Sequence, residues 1–182
     1  MKKILMIVGS LRRDSFNHQL ALAAEQLLEN RAEVHKLTYS DLPYMNQDIE
    51  FPPPESVARV RAAVQQADAL WIFTPEYNFS FPGVLKNLLD WLSRPLSPDD
   101  RSRNSVMKGK TVTISGAAGK SAASGVRRAL KNLLEIMSAK VVAGTGTGVA
   151  LDAQAFQTGK LTLSEESLAS LRQQAEELLA SL

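Results

Sequence analysis

The run Gly9-Ser10-Leu11-Arg12-Arg13-Asp14-Ser15-Phe16-Asn17 gathers hydroxyls, an amide and two guanidinium groups directly ahead of a stretch with helical apolar spacing. The N–H groups and positive end of a starting helix attract an anion, and Ser10, Arg12, Ser15 and Asn17 add donors. A phosphate is therefore expected here. Ser15 and Asn17 are also favoured helix caps, and the two duties are compatible. The loop is neither G-x-G-x-x-G nor G-x-x-x-x-G-K-[ST], so the dinucleotide and nucleoside-triphosphate fingerprints lose their main support.

A second run, Thr74-Pro75-Glu76-Tyr77-Asn78-Phe79-Ser80-Phe81-Pro82-Gly83, sets aromatics, a carboxylate and an amide between two prolines. Prolines stiffen the loop, a Tyr77 or Phe79 ring can flank an aromatic face, and Asn78 can hydrogen-bond a heterocycle edge. A rigid turn with its rings packed into the core is the other reading. That reading explains Glu76 least, because a carboxylate is rarely buried without a partner. A third run, Ser115-Gly116-Ala117-Ala118-Gly119-Lys120-Ser121, is small enough for its backbone to approach a ligand, although such residues serve any tight turn equally well.

The elements that must position these loops follow from periodicity. Apolar, β-branched or aromatic runs at 4–8, 33–37, 69–73, 111–115 and from 141 onward read as strands. Between and after them, helical spacing spans 17–30, about 55–66, 83–93, 124–137 and 165–180, with Pro52-Pro53-Pro54 starting the second and Ser164 capping the last. Strand and helix alternate throughout, and the strands are nearly continuously apolar. This predicts an α/β fold, a flavodoxin-like three-layer sandwich with a five-stranded parallel sheet of order 2-1-3-4-5. Ligands in such sheets sit beyond the C-terminal strand ends where the strand order reverses, which is where all three runs fall. The polar segment 94–110, with Pro95, Pro98, Asp99, Asp100, Arg101 and Arg103, reads as a loop, either a solvated excursion or a flap or subunit contact near the site.

Composition narrows the chemistry. At 182 residues and 45% hydrophobic content, one domain spanning 1–182 is expected. A net charge of +2 is too small to imply a nucleic-acid partner. The absence of cysteine removes disulfides, thiolate nucleophiles, iron–sulfur clusters and Cys-based zinc sites, so redox chemistry would belong to a cofactor. Of the two histidines, His18 falls in the first helix and His35 in the second strand, and neither has the neighbours of a metal ligand, so no metal is expected. Two lysines precede an apolar run of only five residues, and no stretch approaches the roughly 18 needed for a membrane span, so a cytoplasmic protein without membrane attachment is expected.

At these residues the sequence resembles the NADPH-dependent FMN reductase family of flavodoxin-like quinone, chromate and azo reductases. Residues 9–17 are similar to the family's G-S-x-R-x-x-S-x-N loop, and residues 75–91 to its P-E-Y-N-x-S-x-P-G-x-L-K-N-x-x-D-W segment. The resemblance implies bound FMN, NADPH or NADH as electron donor, and a small-molecule acceptor such as a quinone. It implies that Ser10, Leu11, Arg12, Ser15, Phe16 and Asn17 hold the phosphate end, while Pro75, Glu76, Tyr77 and Asn78 line the isoalloxazine. Ring contacts from Ser115, Gly116 and Gly119 are expected too, although this chain has Ala117 and Ala118 where many relatives have paired glycines. The chemistry would lie on the cofactor, with no catalytic side chain required and Glu76 and Tyr77 placed to assist proton delivery to a quinone. The resemblance also implies a homodimer or homotetramer. A flavodoxin-like electron carrier is the alternative, but such carriers present strongly acidic surfaces and this chain is nearly balanced.

Overall fold

The computed structural model describes residues 1–100 and 104–182. Strands β1 (Lys3–Val8), β3 (Ala69–Phe73) and β4 (Thr111–Ala118) form the centre of a parallel sheet and are buried along most of their length because helices cover both faces. Strand β2 (Glu33–Lys36) pairs with β1 at one edge. On the far side of β4, two short strands share one position: β5 (Lys140–Val141) pairs with Thr111 and Val112, and β6 (Thr147–Ala150) pairs with residues 115–118. The order is β2-β1-β3-β4-β5, with β6 also on β4, which is the expected flavodoxin-like arrangement with its fifth position divided.

Alternating side chains decide the layers. Ile4, Met6, Trp71 and Phe73 meet Leu20 and Ala24 of α1 (Phe16–Leu27) and Leu171 and Leu178 of α6 (Glu165–Ala180). On the other face, Leu5, Ile7, Ile72 and Ile114 meet apolar residues of α2 (Glu55–Gln66), α3 (Gly83–Leu92) and α4 (Ser124–Ile136). Each fully buried Leu or Ile contributes about 1.5–3 kcal/mol, so both faces hold the strand ends rigidly. A short helix, α5 (Ala153–Thr158), lies between β6 and α6 and was not expected from periodicity.

Between β5 and β6 the chain leaves the sheet through Ala143, Gly144 and Gly146, all with left-handed backbone. At Gly146 a Cβ would overlap the carbonyl of Ile114, so the close approach requires glycine. The side chain of Gln174, from α6, fills the gap. Its Oε1 accepts from Thr147 N–H and Ser115 Oγ, each at 2.9 Å, and its Nε2 donates to Ile114 O and Thr113 Oγ1, each at 2.7 Å. One buried amide thus supplies the donor and acceptor that the missing strand residues would have given.

The 94–110 segment is better anchored than a solvated excursion. Arg94 donates through Nε and Nη2 to the two oxygens of buried Glu50, both at 2.9 Å, and Val106 and Met107 are in the core. Arg101 and Arg103 lie outside the described residues. Among the described residues, no helix is long and apolar enough to cross a membrane.

Candidate functional site

Beyond the C-terminal ends of β1, β3 and β4 lies a cavity of about 460 Å³. It is lined by Ser10, Arg12, Ser15, Phe16 and Asn17 from the first loop, Pro75, Glu76 and Tyr77 from the second, and Gly119 from the third. The loop after β1 enters α1 with Ser15 as cap, its Oγ accepting from His18 N–H at 3.0 Å. That leaves the Ser15 hydroxyl proton to give to an anion. Arg12 N–H donates to Ser10 Oγ at 3.4 Å, and the Arg12 guanidinium lies 5.3 Å from the Phe16 ring centroid. Tyr39, buried from the loop after β2, donates its hydroxyl to Val8 O at 2.7 Å and so ties down the entry to this loop; burial pushes its phenol well above the ordinary range.

Asn17 lines the cavity, and its side chain also serves the scaffold: its Nδ2 donates to Ala117 O at 2.9 Å and its Oδ1 accepts from Ala117 N–H at 2.8 Å, which leaves one Nδ2 hydrogen uncommitted. The side chain pins the start of α1 to the strand that carries the third loop. Glu76 is committed in the same way. Its Oε1 accepts from Ser121 Oγ and its Oε2 from Val126 N–H, each at 2.7 Å. The cap position of α4, Ala123, has left-handed backbone and no side-chain cap, so Glu76 caps that helix from another loop. Gly125 makes room for it, since a Cβ there would lie 2.8 Å from Glu76 Oε2. Glu76 therefore lines the cavity and at the same time ties the loop after β3 to the start of α4.

Behind Glu76 the buried Arg127 donates to three backbone carbonyls: Ala122 at 3.3 Å, Thr145 at 2.9 Å and Gly146 at 2.6 Å. Burial lowers its pKa, and the charge of Glu76 opposes that shift. The guanidinium holds together the loop after β4 and the break between β5 and β6.

Four expected contacts fall elsewhere. Ser115 is fully buried and accepts from Trp71 Nε1–H at 2.9 Å while donating to Gln174, so it belongs to the core. Gly116 is also within the strand, where a Cβ would lie 2.6 Å from Thr74 O, and it lets β3 and β4 exit side by side. The strand runs on to Ala118, and the ligand-facing part of this loop is Ala117, Ala118 and Gly119. Leu11 is 60% exposed and faces a neighbouring cavity. Asn78 sits at the tip of a turn, away from the lining.

That turn is closed by two reciprocal hydrogen bonds, Tyr77 N–H to Ser80 O at 3.0 Å and Ser80 N–H to Tyr77 O at 2.9 Å. Asn78 and Phe79 have φ of 51° and 60°, the pattern of a type I′ turn, which favours Asn-Gly. Phe79 is 87% exposed, so its ring gains little for its left-handed backbone. Phe79→Gly is expected to raise Tm by about 2 °C, because relief of about 1–2 kcal/mol exceeds glycine's entropic cost of about 0.5–1 kcal/mol. Calorimetry checks this, and a lower Tm would show that the ring packs usefully.

The sequence reading missed Leu151, Phe156 and Gly159, which close the cavity from α5 and its flanks. Phe156 meets Phe16 edge to face at 5.8 Å. Gln19 of α1 holds this segment, donating to Gly159 O at 2.8 Å and accepting from Leu161 N–H at 2.7 Å. Two available signals were Asp152, which caps α5, and Gly159, which ends it at φ 69°. The site therefore has a donor-rich end at the α1 N-terminus and a flatter end between Pro75–Tyr77 and Ala117–Gly119, with an aromatic rim. It suits an elongated ligand with an anionic end and a planar ring.

The family model for NADPH-dependent FMN reductase matches residues 2–153. Among curated proteins, a 2-hydroxy-1,4-benzoquinone reductase of Burkholderia sp is 48% identical over 93 residues, 51% of each chain. A quinone reductase of Pseudomonas putida (strain KT2440) is 42% identical over 93 residues, 50% of each chain. The chain thus spans about half the length of the curated relatives it matches. Among solved structures, FerB of Paracoccus denitrificans, a flavoenzyme NAD(P)H:(acceptor) oxidoreductase, superposes with a TM-score of 0.84 and 31% identity, covering 99% of this chain and 96% of that one.

Proposed function

The chain belongs to the NADPH-dependent FMN reductase family, and from that premise we propose that it is an FMN-dependent oxidoreductase, passing a hydride from NADPH or NADH to a quinone or similar small acceptor. The observation that carries this reading is the single cavity joining the α1 N-terminus to the loops after β3 and β4. Its donor set fits FMN: a hydroxyl- and guanidinium-bearing helix start for the phosphate, and a stiff, aromatic-flanked slot for the ring. FMN supplies the two-electron chemistry when bound.

In this reading Ser10, Arg12 and Ser15 bind the phosphate, together with N–H groups of the first turn of α1. Pro75, Tyr77 and the backbone of Ala117–Gly119 flank the ring. Asn17, Glu76 and Arg127 act as positioning residues, holding the three loops in register. Phe16 and Phe156 limit water at one end of the slot. The reading takes the whole chain as one FMN-binding domain, in the cytoplasm, working as a homodimer or homotetramer.

The test is the anaerobic visible spectrum of the flavin-reconstituted protein before and after NADPH, then after a quinone. Flavin bands that bleach with NADPH and return with quinone support the reading. Bound flavin that stays oxidised makes the protein an electron carrier instead, and failure to bind FMN overturns the site.

A further inference from the structure

Residues 152–161 run past the α1 end of the cavity as a strap between two fixed ends, and Phe156 and Gly159 from it line that cavity. At one end Leu151 N–H donates to Ala118 O at 2.9 Å, and at the other Leu161 packs against the core. Between them the segment bonds mainly to itself. Asp152 Oδ1 accepts from Ala155 N–H at 2.7 Å, and Thr158 Oγ1 donates to Gln154 O at 2.9 Å and accepts from Lys160 N–H at 3.2 Å. Its apolar seat is small: Ala155 is buried, while Phe156 stays 61% exposed although its ring meets Phe16. A segment that buries so little apolar surface opens at low cost unless another group ties it down.

One amide supplies that tie. Gln19, in the first turn of α1, donates from Nε2 to Gly159 O at 2.8 Å and to Asp14 O at 3.3 Å, and its Oε1 accepts from Leu161 N–H at 2.7 Å. Both Nε2 hydrogens are used, so the side chain joins the strap to the loop that carries Arg12 and Ser15. Among the described residues, these are the side-chain hydrogen bonds between the strap and another element. Gln19 lies outside the cavity lining and acts through the backbone of Asp14, Gly159 and Leu161.

From this arrangement we infer that Gln19 is a positioning residue that latches the 152–161 strap over the α1 end of the cavity, so that a ligand anchored there leaves only when the strap opens. In the FMN reading above, on which the flavin part of this inference rests, the latch sets the release rate and keeps FMN bound from one turnover to the next. An anion that fixes the loop after β1 also fixes Asp14 O, one of the three latch partners. Occupancy and closure therefore support each other.

The experiment compares the full chain with Gln19→Ala and Gln19→Met. Methionine has similar reach and is a good helix former, so it separates lost hydrogen bonds from lost packing. Tryptic cleavage after the exposed Lys160 reads strap opening without flavin, because the Lys160–Leu161 bond carries the N–H that Gln19 holds. In both variants this cleavage is expected to be at least about tenfold faster, and FMN should slow it in the parent. FMN release, followed by recovery of flavin fluorescence on dilution, should speed up by a similar factor while the association rate stays the same or rises. Parent rates of cleavage and release in Gln19→Ala overturn the inference. So does a return to parent rates in Gln19→Met, which would assign the effect to packing. Slower association with unchanged release overturns it as well, since a damaged phosphate loop gives that pattern. If none of the three proteins binds FMN, the oxidoreductase reading falls, while the cleavage rates still decide the latch: faster in the variants supports it and equal rates overturn it.

Discussion

Asn17→Asp is expected to lower stability by about 3 kcal/mol and to weaken FMN binding by at least about tenfold, although it changes only an amide to a carboxylate. The buried Asn17 amide both donates to and accepts from Ala117. The carboxylate keeps the acceptor but turns an unprotonated oxygen toward the Ala117 carbonyl, leaving a buried charge against a buried acceptor. The flavin effect follows because this pair fixes the phosphate loop relative to the loop after β4. The pH dependence separates this mechanism from general damage. A protonated carboxyl can donate to Ala117 O, so the folded state favours the neutral form and the carboxyl pKa is raised. The variant's deficit should therefore shrink as pH falls and grow as pH rises. Melting curves from neutral to mildly acidic pH, beside flavin titrations, measure both effects. A variant with the parent's Tm and flavin affinity would remove Asn17 from the positioning of the site.

The second large effect is expected at Glu76. Glu76→Ala removes the acceptor for Val126 N–H and Ser121 Oγ and takes away the carboxylate nearest the buried Arg127. An uncapped helix start and a less compensated buried cation together cost about 2–4 kcal/mol. Glu76→Gln is the informative companion: it keeps the volume and one acceptor oxygen, and should recover part of the stability but not all. Were Glu76 a proton donor, the Gln variant would be as stable as the parent and slow in turnover at every flavin occupancy. The geometry predicts the reverse, reduced stability with turnover per bound flavin retained. Thermal denaturation and turnover normalised to flavin content decide between them.

The sheet order and the three loops were legible because the central strands are apolar along their length and the loops carry polar or aromatic residues that a core would exclude. Asn17 and Glu76 stood out in the sequence, but their scaffolding partners did not. Their partners are backbone groups 100 and 50 residues away, and a backbone N–H leaves no trace in sequence. Ser115 and Gly116 looked like a ligand loop because small residues suit close approach, and they do serve it, but toward Trp71, Gln174 and the Thr74 carbonyl. Helix α5 left no periodic signal because six residues are too few to show a helical period. The break between β5 and β6 had its signal in Gly144 and Gly146, which the reading of one continuous strand passed over.

The amide that bridges this break also bears on the order of folding. A sheet edge completed by Gln174 must wait for contacts spanning 27 residues to Thr147 and 59 to 61 residues to β4, far longer than a strand hairpin would need. The β1–β3–β4 centre can assemble early, while the edge under the loop after β4 stays short of hydrogen bonds until α6 docks. Amide exchange should accordingly report two cooperative units, with Thr147 N–H protected only to the extent that α6 is seated. Ordering of the site would then be the closing event of folding.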